Sequence, residues 1–143
     1  LTTEGGLDVA AQQDNLKTFV SGLEACGIRV SLFIDPDLTQ IQASASVGAS
    51  AIELHTGPYA DASDPLTMER ELNRLSAATD LGVSLGLRVN AGHGLHYGNV
   101  SPVGAMSGIS ELNIGHAIIA RSVFSGLADA VRDMRRLMDR SQS

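Results

Sequence analysis

Cysteine is almost absent from this chain, because Cys26 is the only one among 143 residues. A single cysteine cannot form an internal disulfide, so the composition favours a reducing, cytoplasmic location. Because Cys26 stands at the end of a predicted helix, we interpret it as a small buried hydrophobe.

Tryptophan is missing, aromatic residues make up 3% of the chain, and the net charge is -6. These features argue against base stacking and against a general nucleic-acid surface. No GxGxxG follows a first strand, and neither an HExxH pattern nor a cysteine ligand supports a zinc site built from the histidines. The composition leaves small-molecule chemistry open.

Long apolar runs are also missing, and nothing resembles a signal peptide. No stretch approaches the roughly 20 residues of a membrane-spanning helix, so we expect a soluble protein without a membrane partner. Residues 1–6 are typical of the middle of a loop, which suggests that the sequence starts inside a longer protein.

The chain instead alternates predicted helices and strands, and its 43% hydrophobic content is enough for one globular domain. Strands are predicted at 28–34, 51–55, from residue 87 onwards, and at 111–114. Helix caps are predicted at Asp8 and Asn99, and at Asp35 and Asp64, which each precede a proline.

Two helix-to-strand junctions share one pattern of glycine, branched apolar residue, arginine and valine, at Gly27–Val30 and Gly86–Val89. Alternating strands and helices imply a parallel sheet with right-handed crossovers. A short helix predicted at 117–124, before the last helix, is typical of the phosphate site of barrel enzymes. We therefore favour an α/β fold of the (βα)8 TIM-barrel type over an open sheet. Four units are half of a barrel, which needs about 250 residues.

Polar side chains follow four successive predicted strands, where barrel enzymes keep their active sites. They are Asp35, His55, His93 and His116. His93 lies between two glycines that allow a ligand to approach the backbone, and an imidazole exchanges protons near neutral pH. We predict that His93 transfers protons; the alternative is a loop histidine bound to the backbone.

Gly115 and His116 begin a predicted helix, and the N–H groups at a helix start suit a phosphate. The alternative is an ordinary tight turn and cap.

Glu53 and His55 alternate along one strand and are expected to face the barrel interior. A buried carboxylate requires a partner, for which Arg88 is a candidate, and this structural pairing stands beside a catalytic role. We interpret His96 as a solvated loop residue and Asp35 as a helix cap.

Four separated motifs in the correct order resemble pyridoxine 5'-phosphate synthase, the last enzyme of the deoxyxylulose-phosphate route to vitamin B6. They are Thr2–Val9, Val30–Asp35, Val89–Leu95 and Glu111–Ile119. The resemblance runs from the first residue to the last helix. It covers the family's carboxyl-terminal half, about the last four βα units, with residues 1–8 as the active-site loop after strand four.

The resemblance implies a metal-free, cofactor-free enzyme that condenses 3-amino-2-oxopropyl phosphate with 1-deoxy-D-xylulose 5-phosphate. The products are pyridoxine 5'-phosphate, phosphate and water. It assigns the proton donor to His93, the aminoketone phosphate to Gly94, Gly115 and His116, and a deoxyxylulose phosphate contact to Thr2. Family members assemble as homo-oligomers, commonly octamers.

The family's other acid/base residues belong to the first four strands, so the chain alone is expected to be inactive. Two alternatives stay open. One is another phosphate-binding barrel isomerase or epimerase, and the other is a non-catalytic half-barrel that binds anions.

Overall fold

The computed structural model describes residues 5–140, in which helices alternate with strands. The strands are β1 (Ser31–Ile34), β2 (Ala51–His55), β3 (Arg88–Gly92) and β4 (Ile109–Asn113). A 3-10 turn at Ala10–Gln12 precedes the helices α1 (Gln13–Ala25), α2 (Leu38–Ser46), α3 (Gly57–Ala60), α4 (Pro65–Ser84), α5 (Val100–Gly104), α6 (His116–Ser125) and α7 (Leu127–Arg140). Over the described residues, no helix combines the length and apolar character that a bilayer crossing requires.

The four strands form one parallel sheet in the order β1-β2-β3-β4. Each strand pairs with the next one along the chain, and at least one helix lies between them. A doubly wound sheet reverses its order at a switch point, whereas a barrel adds its strands in sequence. The fold is therefore α/β with a parallel sheet, consistent with part of a TIM-barrel-like fold.

The two faces of the sheet differ in character. One face is apolar and packs in a single core with Ile41 of α2 and Leu75 of α4. Its strand residues are Leu32, Ile34, Ile52, Leu54, Val89 and Ala91. Each large apolar side chain buried there stabilises the fold by about 1.5–3 kcal/mol.

The opposite face carries two rows of mostly polar residues in register across the strands. The first row is Phe33, Glu53, Asn90 and Glu111, and the second is His55, Gly92 and Asn113. Ser110 is an extra residue in β4 at a register shift beside Val89 and Asn90. Beyond this shift, Glu111 and Asn113 lie in the same two rows as Glu53 and His55.

The helix caps follow the sequence in part. Asp64 accepts the N–H of Thr67 at 2.9 Å and caps α4, as predicted. Asp8 accepts the N–H of Ala11 at 3.1 Å, in the 3-10 turn before α1, but the N-cap positions of this turn and of α1 are Val9 and Gln12. The prediction that Asp35 caps α2 is wrong, because Asp37 has the extended backbone of a cap and accepts the N–H groups of the first turn of α2.

Two expectations near the end of α1 are also wrong. Cys26 is exposed rather than buried, because it follows the last turn of α1 on the outside of the molecule. The first strand begins at Ser31 instead of Ile28. The N–H of Val30 is bound by the Glu24 carboxylate at 3.0 Å, and this hydrogen bond lowers the pKa of Glu24.

The repeated junction pattern marks a real structural repeat. Gly27 and Gly86 follow α1 and α4 with φ angles of 77° and 80°, a left-handed conformation that glycine adopts without strain. Gly48 follows α2 with a φ of 84°. A glycine turn therefore leads the chain from a helix into β1, β2 and β3.

Candidate active site

The carboxyl ends of the four strands meet at one edge of the sheet, as predicted. Asp35 and His93 directly follow β1 and β3, His55 ends β2, and His116 begins α6 three residues after the end of β4. An open cavity of about 620 Å³ lies at this edge, a volume typical of small-molecule sites. Its lining includes Glu53, His93, Gly94, His96, Gly115 and His116.

His93 has an unusual backbone. Its φ is 80°, and it is the only residue other than glycine with a positive φ in the described part of the chain. A left-handed conformation at such a residue costs about 1–3 kcal/mol and persists only where neighbouring contacts impose it. Strain of this kind concentrates at functional positions, which favours a functional role for His93.

Thr56 supplies the contacts that hold this backbone. Its side chain is completely buried, and its N–H donates to the carbonyl of Gly92 at 2.8 Å. Its hydroxyl lies 2.6 Å from the same carbonyl and 2.5 Å from the carbonyl of His93. The residue after β2 therefore anchors the turn after β3.

The glycines beside His93 are required for space as well as for conformation. A Cβ at Gly92 would lie 2.9 Å from the carbonyl oxygen of Asn113 and closer still to the Glu53 carboxylate. Gly94 has a φ of 77°, and a Cβ there would lie 2.6 Å from that of Ala60. Neither position accepts a side chain without displacing the site.

Glu53 lines the cavity beside His93, but its partner differs from the expected one. The amide of Asn113 donates to the Glu53 carboxylate at 2.8 Å. Arg88 points to the same face of the sheet but pairs with Glu111 at 3.6 Å. The expected pairing of Glu53 with Arg88 is therefore wrong, because Asn113 of β4 binds the Glu53 carboxylate and Glu111 of β4 takes Arg88.

His55 joins Asp35 to His93. Nδ1 of His55 lies 2.9 Å from the Asp35 carboxylate, and the His55 ring meets the His93 ring edge to face with centroids 4.9 Å apart. Phe33 packs against both rings, at centroid distances of 5.1 Å and 6.4 Å. Asp35 thus binds a histidine across the sheet instead of capping a helix.

The start of α6 forms part of the lining of the cavity. Gly115 precedes the helix without a side-chain cap, and both Gly115 and His116 are exposed. The first N–H groups of a helix have no partner within it and carry the positive end of its dipole. These N–H groups suit an anion, and His93 lines the same cavity.

The loop after β3 is held by a buried asparagine. Asn99 was predicted to cap α5, but its side chain accepts the N–H of His96 at 2.7 Å and donates to the carbonyl of Gly94 at 3.2 Å. Tyr59 donates its hydroxyl to the Asn99 carbonyl at 2.7 Å. Burial raises the pKa of Tyr59, so its phenol remains a donor at neutral pH. His96 is exposed, as predicted.

Sequence reasoning missed Thr56, Tyr59 and Asn113. Thr56 and Asn113 stand at the carboxyl ends of strands, the position that singled out the histidines. Tyr59 is one of two tyrosines in the chain, and a buried tyrosine normally has a partner for its hydroxyl. Thr2 lies outside the described residues.

The chain also matches a family model. The model for pyridoxal phosphate biosynthesis protein PdxJ covers residues 1–140 of the 143. This match includes every motif on which the sequence resemblance depends and every residue of the cavity. It supports an enzyme with a role in the biosynthesis of pyridoxal phosphate. The chain belongs to the PdxJ family of pyridoxal phosphate biosynthesis proteins.

Proposed function

We propose that this chain is the carboxyl-terminal half of a pyridoxine 5'-phosphate synthase, a transferase with a (βα)8 barrel to which it contributes the last four βα units. The reaction joins 3-amino-2-oxopropyl phosphate to 1-deoxy-D-xylulose 5-phosphate and releases phosphate and water. The observation that carries the proposal is one cavity lined by both His93 and the start of α6, in a chain of the PdxJ family.

His93 is the proton donor in this proposal. Ring closure requires imine formation, enolisation and dehydration, and each of these steps moves a proton that a neutral-range imidazole can carry. The turn at His93 is strained and anchored by Thr56, so the ring is held beside the cavity before substrate binds. Such preorganisation favours catalysis.

Gly94, Gly115 and His116 bind the aminoketone phosphate. The N–H groups at the start of α6 provide donors and a positive dipole for a dianion, in a chain whose net charge is otherwise negative. The Glu53 carboxylate, fixed by Asn113, faces the reacting centre from the sheet and assists its proton transfers. Thr2 contacts the second phosphate ester.

The proposal is tested with the complete protein and the two substrates. We expect pyridoxine 5'-phosphate and inorganic phosphate in equal amounts, measured by chromatography and by a phosphate assay. An isomerised sugar phosphate without phosphate release would indicate another barrel enzyme. Binding of both substrates without any product would indicate an anion-binding module, and either result would overturn the proposal.

A further inference from the structure

The contact between Asp35 and His55 has no role in the proposed reaction so far. The Asp35 carboxylate is half exposed, whereas the His55 side chain is only 12% exposed. The hydrogen bond joins the Asp35 carboxylate to Nδ1 of His55. An ionised carboxylate only accepts hydrogen bonds, so Nδ1 carries the proton. In a neutral His55 ring, Nε2 then carries a lone pair.

That second nitrogen is buried. Among the described residues, Nε2 of His55 has no hydrogen-bond partner. A Cβ at Gly57 would overlap Nε2 of His55 and would lie 3.2 Å from Cδ2 of His93. Nε2 of His55 and the edge of the His93 ring therefore border the same small space above Gly57.

The tautomer of His55 decides what this space presents to His93. With the proton on Nδ1, Nε2 of His55 presents a lone pair to this space. With the proton on Nε2, His55 would place an N–H dipole in the space that it shares with the polarised C–H at Cδ2, on the edge of the His93 ring. A lone pair attracts that edge and an N–H repels it, and the difference is largest while His93 carries the proton that it donates.

We infer that Asp35 is a positioning residue, which fixes the tautomer of His55 so that His55 holds the proton-donating His93 ring against the cavity. This inference rests on the proposed function, because it concerns how His93 acts as the donor. Asp35 does not line the cavity and is assigned no contact with substrate.

Other charged groups also face His93. The Glu53 carboxylate on β2 attracts a protonated ring, while the positive end of α6, with His116, opposes it. His96 lines the cavity from the loop after β3. Substitution of Asp35 leaves all of these groups in place, so a change at His93 is assigned to the link through His55.

The first test reads the tautomer of His55 directly. Long-range 1H–15N spectra of histidine-labelled complete protein distinguish a protonated ring nitrogen from a bare one, and a His55→Gln spectrum identifies the signals. We expect wild-type His55 to carry its proton on Nδ1. A wild-type His55 protonated on Nε2 would overturn the inference without any need for a variant at Asp35.

The second test uses Asp35→Asn, which keeps the shape of the side chain and removes its charge. An amide can accept from Nδ1 or donate to it, so we expect a mixture of tautomers. We expect kcat to fall about tenfold with KM within about twofold, because ring orientation matters in the chemical step rather than in binding. A fall in kcat with an unchanged tautomer, or no change in either, would refute the inference.

Asp37→Asn is the matched control. Asp37 lies two residues further along and caps α2, a position where asparagine is as effective as aspartate. Asp37→Asn should leave both the tautomer of His55 and kcat as in wild type. An equal fall in kcat in Asp35→Asn and Asp37→Asn would contradict a specific role for Asp35. His93→Ala in the same assay separates the two proposals. If the wild-type protein forms no pyridoxine 5'-phosphate, the proposed function fails, and if His93→Ala retains turnover, the role of His93 as proton donor fails. The tautomer of His55 is measured independently of turnover in both cases.

Discussion

The anchor between Thr56 and the strained turn at His93 makes Thr56→Val an informative perturbation. Valine has nearly the shape of threonine, so the change removes a hydroxyl from a completely buried position. The carbonyl of Gly92 keeps the N–H of residue 56 as its partner, at 2.8 Å. The carbonyl of His93 loses the hydroxyl, which lies 2.5 Å away in the native protein.

The size of the effect follows from these contacts. One partly buried hydrogen bond contributes about 0.5–1.5 kcal/mol to stability. We therefore expect the free energy of unfolding to fall by about 0.5–1.5 kcal/mol, less than the total stability of a typical domain. The turn at His93 should relax, so kcat should also fall, by about tenfold.

The assay combines urea denaturation with steady-state kinetics on the complete protein. Thr79→Val is the control, because the Thr79 hydroxyl is equally buried but donates to the Leu75 carbonyl inside α4, away from the cavity. We expect it to lower stability modestly and to leave kcat unchanged. If Thr56→Val had the same kcat as wild type and lost no more stability than the control, the role assigned to Thr56 would be refuted.

Three further predictions concern backbone strain, space and pH. His93→Gly should be more stable than His93→Ala by about 1 kcal/mol in urea denaturation, because glycine relieves the left-handed strain; equal stabilities would mean that the turn is not strained. Gly92→Ala should lower stability by about 1–3 kcal/mol and reduce kcat, because its Cβ would displace the Glu53 carboxylate; a wild-type kcat would argue against that placement. The N–H of Thr67 lowers the pKa of Asp64, so the stability from this cap is present above the unfolded-state pKa and is lost as the pH falls below about 4. Below about pH 4, the melting temperature of Asp64→Asn should therefore depend less on pH than that of wild type. The same pH dependence in both proteins would contradict a contribution of the Asp64 cap to stability.

Local patterns predicted much of the fold. Strand β2 has the bounds expected from its sequence, because a glycine turn precedes it and Thr56 leaves the strand to bind the next turn. Asp64 was predicted correctly as a cap because Pro65 fixes the first helical position. The placement of the histidines at one edge follows from the parallel order of the strands.

Predictions failed where a distant residue decides the outcome. The segment Asp35-Pro36-Asp37 offers two candidate caps, and the choice depends on His55, twenty residues away along the chain. The partner of Glu53 depends on Asn113 in another strand, beyond a register shift that the sequence does not reveal. The positive φ of His93 is held by Thr56, which directly follows β2, rather than by the flanking glycines alone.

The most direct test of the central claim is turnover of the complete protein with His93→Ala. We expect kcat to fall at least about 100-fold, the usual contribution of a positioned proton donor. Calorimetry should still detect binding of a phosphate ester, because the start of α6 is unchanged. Formation of pyridoxine 5'-phosphate at a rate near that of wild type would contradict the account.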